Sequence, residues 1–131
     1  MNTKASLIKQ VPLFQSCSRR ELERIAAIAD ELDLPAGTRL TAEGATGREF
    51  VVLVEGIADV TQEGELVNTL GPGDFLGEIS LVTGQPRTAT VTTRSRSKLL
   101  VLNAQAFRSL LARAPSIKQR ITAAAALRLA S

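Results

Sequence analysis

The chain has 131 residues, 44% of them hydrophobic, enough for one proper core and too few for two comfortable domains. Sixteen basic against thirteen acidic residues leave a net charge of +3, too weak a bias to argue for nucleic acid, and the absence of histidine removes Ser/His/Asp triads, Cys/His pairs and imidazole metal clusters. A single cysteine, Cys17, allows no internal disulfide and suits a reducing cytoplasm, where it reads as a small, partly buried hydrophobe.

The first twenty residues carry no basic segment leading into a long apolar run and no small-residue cleavage site, so no secretory signal is expected. No window approaches the roughly 18 apolar residues that a membrane-spanning helix needs. "SLIKQVPLF" reads as a short helix broken before Pro12 and docked by its apolar side. Ser18 with Glu21 three residues on is a capping box, and Leu22, Ile25, Ala26 and Ala29 repeat at helical spacing, which predicts a helix from about 19 to 31.

From Pro35 the period changes. Thr38–Thr41, "EFVVLVEG", "IADVTQ", "ELVNTL", "TATVTT" and "KLLVL" are short segments rich in β-branched and aliphatic residues, separated by turns that hold Gly44, Gly47, Gly56 and Gly64. Six or more strands at this spacing predict a β-barrel or sandwich. "EFVVLV", apolar at successive positions, reads as a strand buried on both faces. After Leu102 the helical period returns: Asn103 is a good N-cap for "AQAFRSLLARA", and Pro115 stands where a second helix, "SIKQRITAAAALRLA", would begin. The outline is N-terminal helices over about 4–32, a β-barrel over about 33–102 and two C-terminal helices over about 103–130, in one domain spanning 1–131.

The chemistry is easier to exclude than to find. The thirteen acids are scattered, with no pair at a spacing diagnostic of acid/base or metal work, and a chain with four Phe, no Trp and no Tyr is poor in stacking platforms for single-stranded nucleic acid. The C-terminal helices are apolar and alanine-rich and do not resemble a DNA-recognition unit. Charge is distributed unevenly, however. Residues 1–78 carry seven basic and thirteen acidic groups (7 − 13 = −6), whereas residues 79–131 carry nine basic groups and no acid (+9). Either solvated faces merely differ in sign, or the C-terminal half faces an anion.

The stretch "GPGDFLGEISLVTGQPRTATV", residues 71–91, is the candidate. It fails the dinucleotide fingerprint by one residue and lacks the Lys-Ser/Thr ending of a P-loop. A glycine-bearing loop leading into a short helix at Gly77-Glu78 would aim N–H groups outward, and Arg87 in or near the barrel wall would be costly unless paired. Two readings of Glu78 stand: a structural ion pair with Arg87, or a carboxylate that takes a neutral donor such as a ribose hydroxyl while Arg87 takes a phosphate.

"LGEISLVTGQPRTA", residues 76–89, resembles the phosphate-binding cassette of the cyclic nucleotide-binding domain family, departing from it at Leu76, where the family has an aromatic, and at Ser80, where it has Ala. "EGATGREFVVLVEGIADV" resembles the family's glycine-punctuated strand pair, and the likeness extends over essentially the whole chain. The resemblance implies a mainly β fold, an eight-stranded jelly-roll (double-stranded β-helix) barrel with flanking helices. It also implies a regulatory sensor rather than an enzyme, without a metal or other cofactor.

Under it, Glu78 accepts the ribose 2′-OH and Arg87 pairs with the cyclic phosphate, while Gly77, Ile79, Ser80, Thr88 and Ala89 line the cassette, largely through backbone groups. The C-terminal helix closes as a lid, with Arg128, Leu127 or Leu129 capping the base. The ligand is expected to be cAMP, with cGMP the alternative, because Thr88 does not discriminate between them. The partner is expected to be another protein or an effector domain. Nucleic acid and membrane are not expected, and the location is expected to be cytoplasmic. Arg- and Ala-rich, Lys-poor usage points to a GC-rich bacterium. The alternatives are a degenerate member that keeps the fold for protein interaction, a small sugar-phosphate enzyme and a structural or DNA-binding protein.

Overall fold

The computed structural model describes residues 3–130, except for the side chains of residues 3, 79, 82 and 127–130. Helix α1 (Thr3–Gln10) ends two residues before Pro12, which opens a 3-10 turn over Pro12–Phe14. Helix α2 (Arg19–Ile28) starts at the capping box: the Glu21 N–H donates to Ser18 Oγ at 3.1 Å, and the Ser18 N–H donates to Glu21 Oε1 at 2.8 Å. Two donors that the helix start would leave open are satisfied reciprocally.

The strands are β1 (Asp30–Leu34), β2 (Arg39–Thr41), β3 (Glu49–Glu55), β4 (Ala58–Gln62), β5 (Glu65–Leu70), β6 (Phe75–Leu76), β7 (Thr90–Thr93) and β8 (Ser97–Asn103). They form two antiparallel four-stranded sheets, ordered β1-β8-β3-β6 and β2-β7-β4-β5. The hydrogen-bonded pairings among the described residues fall within one sheet or the other, so the strands make two facing sheets rather than a single closed barrel.

The β3 sequence explains why one sheet is central. Phe50, Val52 and Val54 join Leu100 and Leu102 of β8 in a core shared with the helices, whereas Val51 and Leu53 join Leu99 and Val101 in a core shared with the second sheet. A strand buried on both faces needs successive apolar residues, and β3 has them from Phe50 to Val54, between exposed glutamates at its ends. Phe50 sits between Phe107 and Phe75, with ring centroids at 4.8 and 5.5 Å.

After β6 comes α3 (Glu78–Thr83); after β8 come α4 (Ala104–Arg113) and α5 (Pro115–Ala130). Asn103 caps α4, its Oδ1 accepting from the Ala106 N–H at 2.8 Å, and Pro115 is the first residue of α5. Ile117 and Ile121 are buried against the N-terminal elements, and Arg120 Nη1 donates to the carbonyls of Pro12 and Leu13, both at 3.1 Å. The N-terminal turn and the last helix thus form one layer over the central sheet.

Three elements differ from the sequence expectation. Helix α2 stops at Ile28 instead of about 31, because Ala29 turns extended (φ −92°, ψ 140°) and the chain pairs with β8 from Asp30↔Val101 to Leu34↔Ser97. The segment "DELDL" has no strand-like alternation. An edge strand mostly open to water needs none, and ladder hydrogen bonds to β8 form it. The two-residue β6 is likewise created by its partner, through Val51↔Leu76 and Val52↔Phe75.

Candidate functional site

A cavity of about 260 Å³ opens on the inner face of the second sheet. Val60, Val67, Leu70, Leu76 and Val91 give it an apolar wall, and Gly77, Glu78, Ser80, Arg87, Thr88 and Ala89 give it a polar end. The structure therefore gathers six of the seven expected cassette residues around one space. The seventh, Ile79, has a side chain outside the described residues, as do Leu127, Arg128 and Leu129. The described part of α5 packs against α3 and the 3-10 turn, and none of its described side chains lines the cavity.

Glu78 is the first residue of α3 and is 0% exposed; Ser80 is 6% exposed. A carboxylate withdrawn from water needs compensation, and the nearby positive charge is Arg87. The Arg87 guanidinium is half-buried, and Nη2 donates to the Glu49 carbonyl at 2.7 Å. Burial pushes its pKa below the ordinary arginine value, while the charges of Glu78 and then Glu49 act in the opposite direction. The guanidinium stays protonated, since arginine does not lose its proton in proteins. Its charge is poorly hydrated, which strengthens its attraction for an anion brought beside it.

Two glycines make room for this group. A Cβ on Gly47 would lie 2.4 Å from Ser80 Cβ and 2.7 Å from Arg87 Nε. One on Gly77, whose φ is +100°, would lie 2.3 Å from the Glu49 carbonyl oxygen and 2.7 Å from Arg87 Nη1. Reading Gly47 as one of the glycines between strands located it in the sequence but not its neighbours, because Arg87 is forty positions away (87 − 47).

The segment 87–89 is fixed from both sides. The Arg87 N–H donates to the Ala45 carbonyl at 2.9 Å, and the Gly44 N–H donates to the Arg87 carbonyl at 2.8 Å. Thr41 Oγ1 donates to the Ala89 carbonyl at 3.1 Å, and Gln62 Nε2 to the Thr88 carbonyl at 3.0 Å. With the carbonyls of 88 and 89 and the Arg87 N–H engaged, the side chains of Arg87 and Thr88 are the polar groups that this segment brings to the cavity. Thr41, Gln62, Asn68 and the Glu49 carbonyl are site groups that sequence reasoning did not single out. Among the described residues no group of three or more His, Cys, Asp and Glu side chains is placed to hold a metal, and no helix is long and apolar enough to cross a membrane.

Buried Glu78 and half-buried Arg87 thus share one small cavity at a β-sheet's inner face. The model of the cyclic nucleotide-binding domain matches residues 31–114, and the chain belongs to that family. Relatives include a cAMP-dependent protein kinase regulatory subunit of Yarrowia lipolytica, 34% identical over 79% of this chain, and a cyclic nucleotide-gated potassium channel of Rhizobium etli, 35% identical over 88%. The chain spans 28% and 32% of their lengths. Such relatives are fungal as well as bacterial and give no support to the bacterial source expected from residue usage.

Among solved structures, the catabolite activator protein of Thermus thermophilus superposes with a TM-score of 0.80 at 24% identity, covering 90% of this chain and 58% of that one. A regulatory subunit of a cAMP-independent protein kinase A from Trypanosoma brucei gives 0.85 at 18%, covering 93% and 44%. These likenesses concern the fold.

Proposed function

We propose that the chain binds a cyclic nucleotide, with cAMP the leading ligand, and serves as the sensing domain of a regulatory assembly. The observation that carries this reading is the placement of buried Glu78 and half-buried Arg87 at the polar end of one cavity. A phosphate satisfies the guanidinium in a bidentate way, but it would be repelled by the carboxylate, which instead accepts a neutral hydroxyl. A ribose cyclic phosphate supplies both. Gly77, Ile79, Ser80, Thr88 and Ala89 cradle it, chiefly through backbone N–H groups. The 260 Å³ cavity holds the sugar phosphate and leaves the base against the apolar wall toward the mouth.

The family membership of the chain and the strand orders β1-β8-β3-β6 and β2-β7-β4-β5 favour a jelly-roll description of the whole chain as one domain. We assign the lid to the end of α5, with Leu127 or Arg128 over the base. Because α5 is packed on both α3 and the N-terminal turn, a ligand that moves α3 shifts the balance between two packings of α5. The recipient of that shift is a protein partner or an effector domain, with a kinase catalytic subunit the first candidate suggested by the names of the kinase relatives.

Isothermal titration with cAMP and cGMP tests the binding. Wild type should release heat and gain thermal stability. Arg87→Leu, checked for an intact thermal transition, should bind about 10- to 100-fold more weakly, the equivalent of losing a charged hydrogen bond of roughly 1.5–3 kcal/mol. Neither heat nor thermal shift at about 1 mM of either nucleotide refutes the reading, since saturation at about 100 times Kd stabilises a fold by roughly 2.7 kcal/mol.

A further inference from the structure

The strand β5 has an irregularity that changes what the cavity can recognise. Along β4–β5, Val60 opposes Asn68 but the next residue, Thr61, opposes Leu66, so Val67 is an extra residue in the ladder. A regular strand sends successive side chains to opposite faces; a bulge breaks that alternation and re-aims a side chain. Val67 and Asn68, adjacent in sequence, accordingly both line the cavity, with Leu70 beyond them and Val60 and Gln62 facing them from β4. Asn68 and Gln62, on either side of the bulge, line the same cavity, where two amide side chains can converge on one planar edge.

Their hydrogen bonds fix what each amide can offer. Asn68 Oδ1 accepts from the Thr69 N–H at 2.8 Å, which leaves Nδ2 as the donor. Gln62 spends its Nε2 on the Thr88 carbonyl at 3.0 Å, which leaves Oε1 as acceptor. One donor and one acceptor lining the cavity that also holds Glu78 and Arg87 form a reading head for a base edge that presents one acceptor and one donor.

We infer that Asn68 and Gln62 determine base specificity, Asn68 Nδ2 donating to adenine N7 and Gln62 Oε1 accepting from the adenine 6-amino group. This rests on the cyclic-nucleotide reading above and extends it from the sugar phosphate to the base. Adenine presents N7 and N6–H₂ on that edge, whereas guanine presents two acceptors, N7 and O6. Guanine O6 would face Gln62 Oε1, acceptor against acceptor. The head therefore selects cAMP over cGMP, the discrimination that Thr88 leaves open. Gln62 also positions the Thr88 peptide, so the base and the phosphate segment are read by one side chain.

The test is a set of calorimetric titrations of the full chain with cAMP, cGMP, 7-deaza-cAMP, which lacks N7, and the 3′,5′-cyclic phosphate of purine riboside, which lacks the 6-amino group. Wild type should bind cAMP at least about tenfold more tightly than each of the other three, as one well-made base contact discriminates. Asn68→Ala should bind cAMP and 7-deaza-cAMP equally while still rejecting the deaminated ligand. Gln62→Ala should erase the 6-amino preference, and its added loss of affinity should fall equally on all four ligands through Thr88. Binding of cAMP with the N7 preference intact in Asn68→Ala, or equal wild-type affinity for all four, overturns this assignment and leaves the sugar-phosphate reading standing. Absence of binding by any of the four overturns both.

Discussion

Gly77 offers the sharpest check on the geometry, because a second glycine controls for its backbone conformation. Gly77 (φ +100°) and Gly84 (φ +75°) flank α3 with positive φ, yet a Cβ on Gly84 meets nothing within 4 Å, whereas one on Gly77 would meet the Glu49 carbonyl at 2.3 Å and Arg87 Nη1 at 2.7 Å. Alanine at Gly84 therefore costs only the left-handed penalty, about 1 kcal/mol. Alanine at Gly77 adds a collision with a backbone oxygen in the central sheet, which cannot swing away as a side-chain end could. Relief of that collision displaces the guanidinium and breaks its bond to Glu49, a charged hydrogen bond contributing about 1.5–3 kcal/mol.

The sum for Gly77→Ala is about 2.5–4 kcal/mol, a large share of a total stability of roughly 5–15 kcal/mol. For a chain of this size a loss of 1 kcal/mol lowers Tm by about 3–4 °C, so Gly77→Ala should melt about 8–16 °C below wild type and Gly84→Ala only about 3–4 °C. Differential scanning calorimetry of the three proteins decides. Equal losses in the two variants would refute the claim that Gly77 is there to admit the Arg87 side chain.

Ser18→Ala removes one half of the capping box and should cost about 1 kcal/mol, read as a lower urea midpoint with an unchanged m-value. Phe50→Ala empties a fully buried ring site between Phe75 and Phe107 and should cost about 3–5 kcal/mol, giving a Tm more than about 10 °C lower or failure to fold at 37 °C. Burial, reinforced by Glu21, pushes the Cys17 thiol up from 9.0 to about 11. The folded state then holds a proton that the unfolded chain releases above pH 9, so stability from this group is fully present below pH 9 and falls as pH rises toward 11, by at most about 2.7 kcal/mol. Urea titrations at pH 8 and pH 10.5 should show a smaller loss in Cys17→Ala than in wild type, and an equal loss would refute the assignment.

What the sequence by itself determined about this protein is local. The Ser18–Glu21 box, the Asn103 cap, Pro115 at the start of α5 and the double-sided apolar run of β3 rest on hydrogen bonds and periodicities spanning a few residues, and all are legible without a structure. The stretch from Leu76 to Ala89 was singled out for the same reason: its acid and base, which line one cavity, lie nine positions apart in one contiguous segment (87 − 78).

Only the tertiary structure decided the rest. The polar segment "DELDL" becomes β1 because β8 offers a ladder, and Arg87 finds its acceptor on the Glu49 carbonyl thirty-eight residues away. The bulge at Val67 exists only relative to β4, and it turns Asn68 and Val67 into the same cavity. These features depend on backbone groups and register, which amino-acid identity does not encode one position at a time. Residue types set which local bonds form, but the packing and register of the two sheets choose which distant backbone groups meet, and the shape of the cavity is set by that meeting.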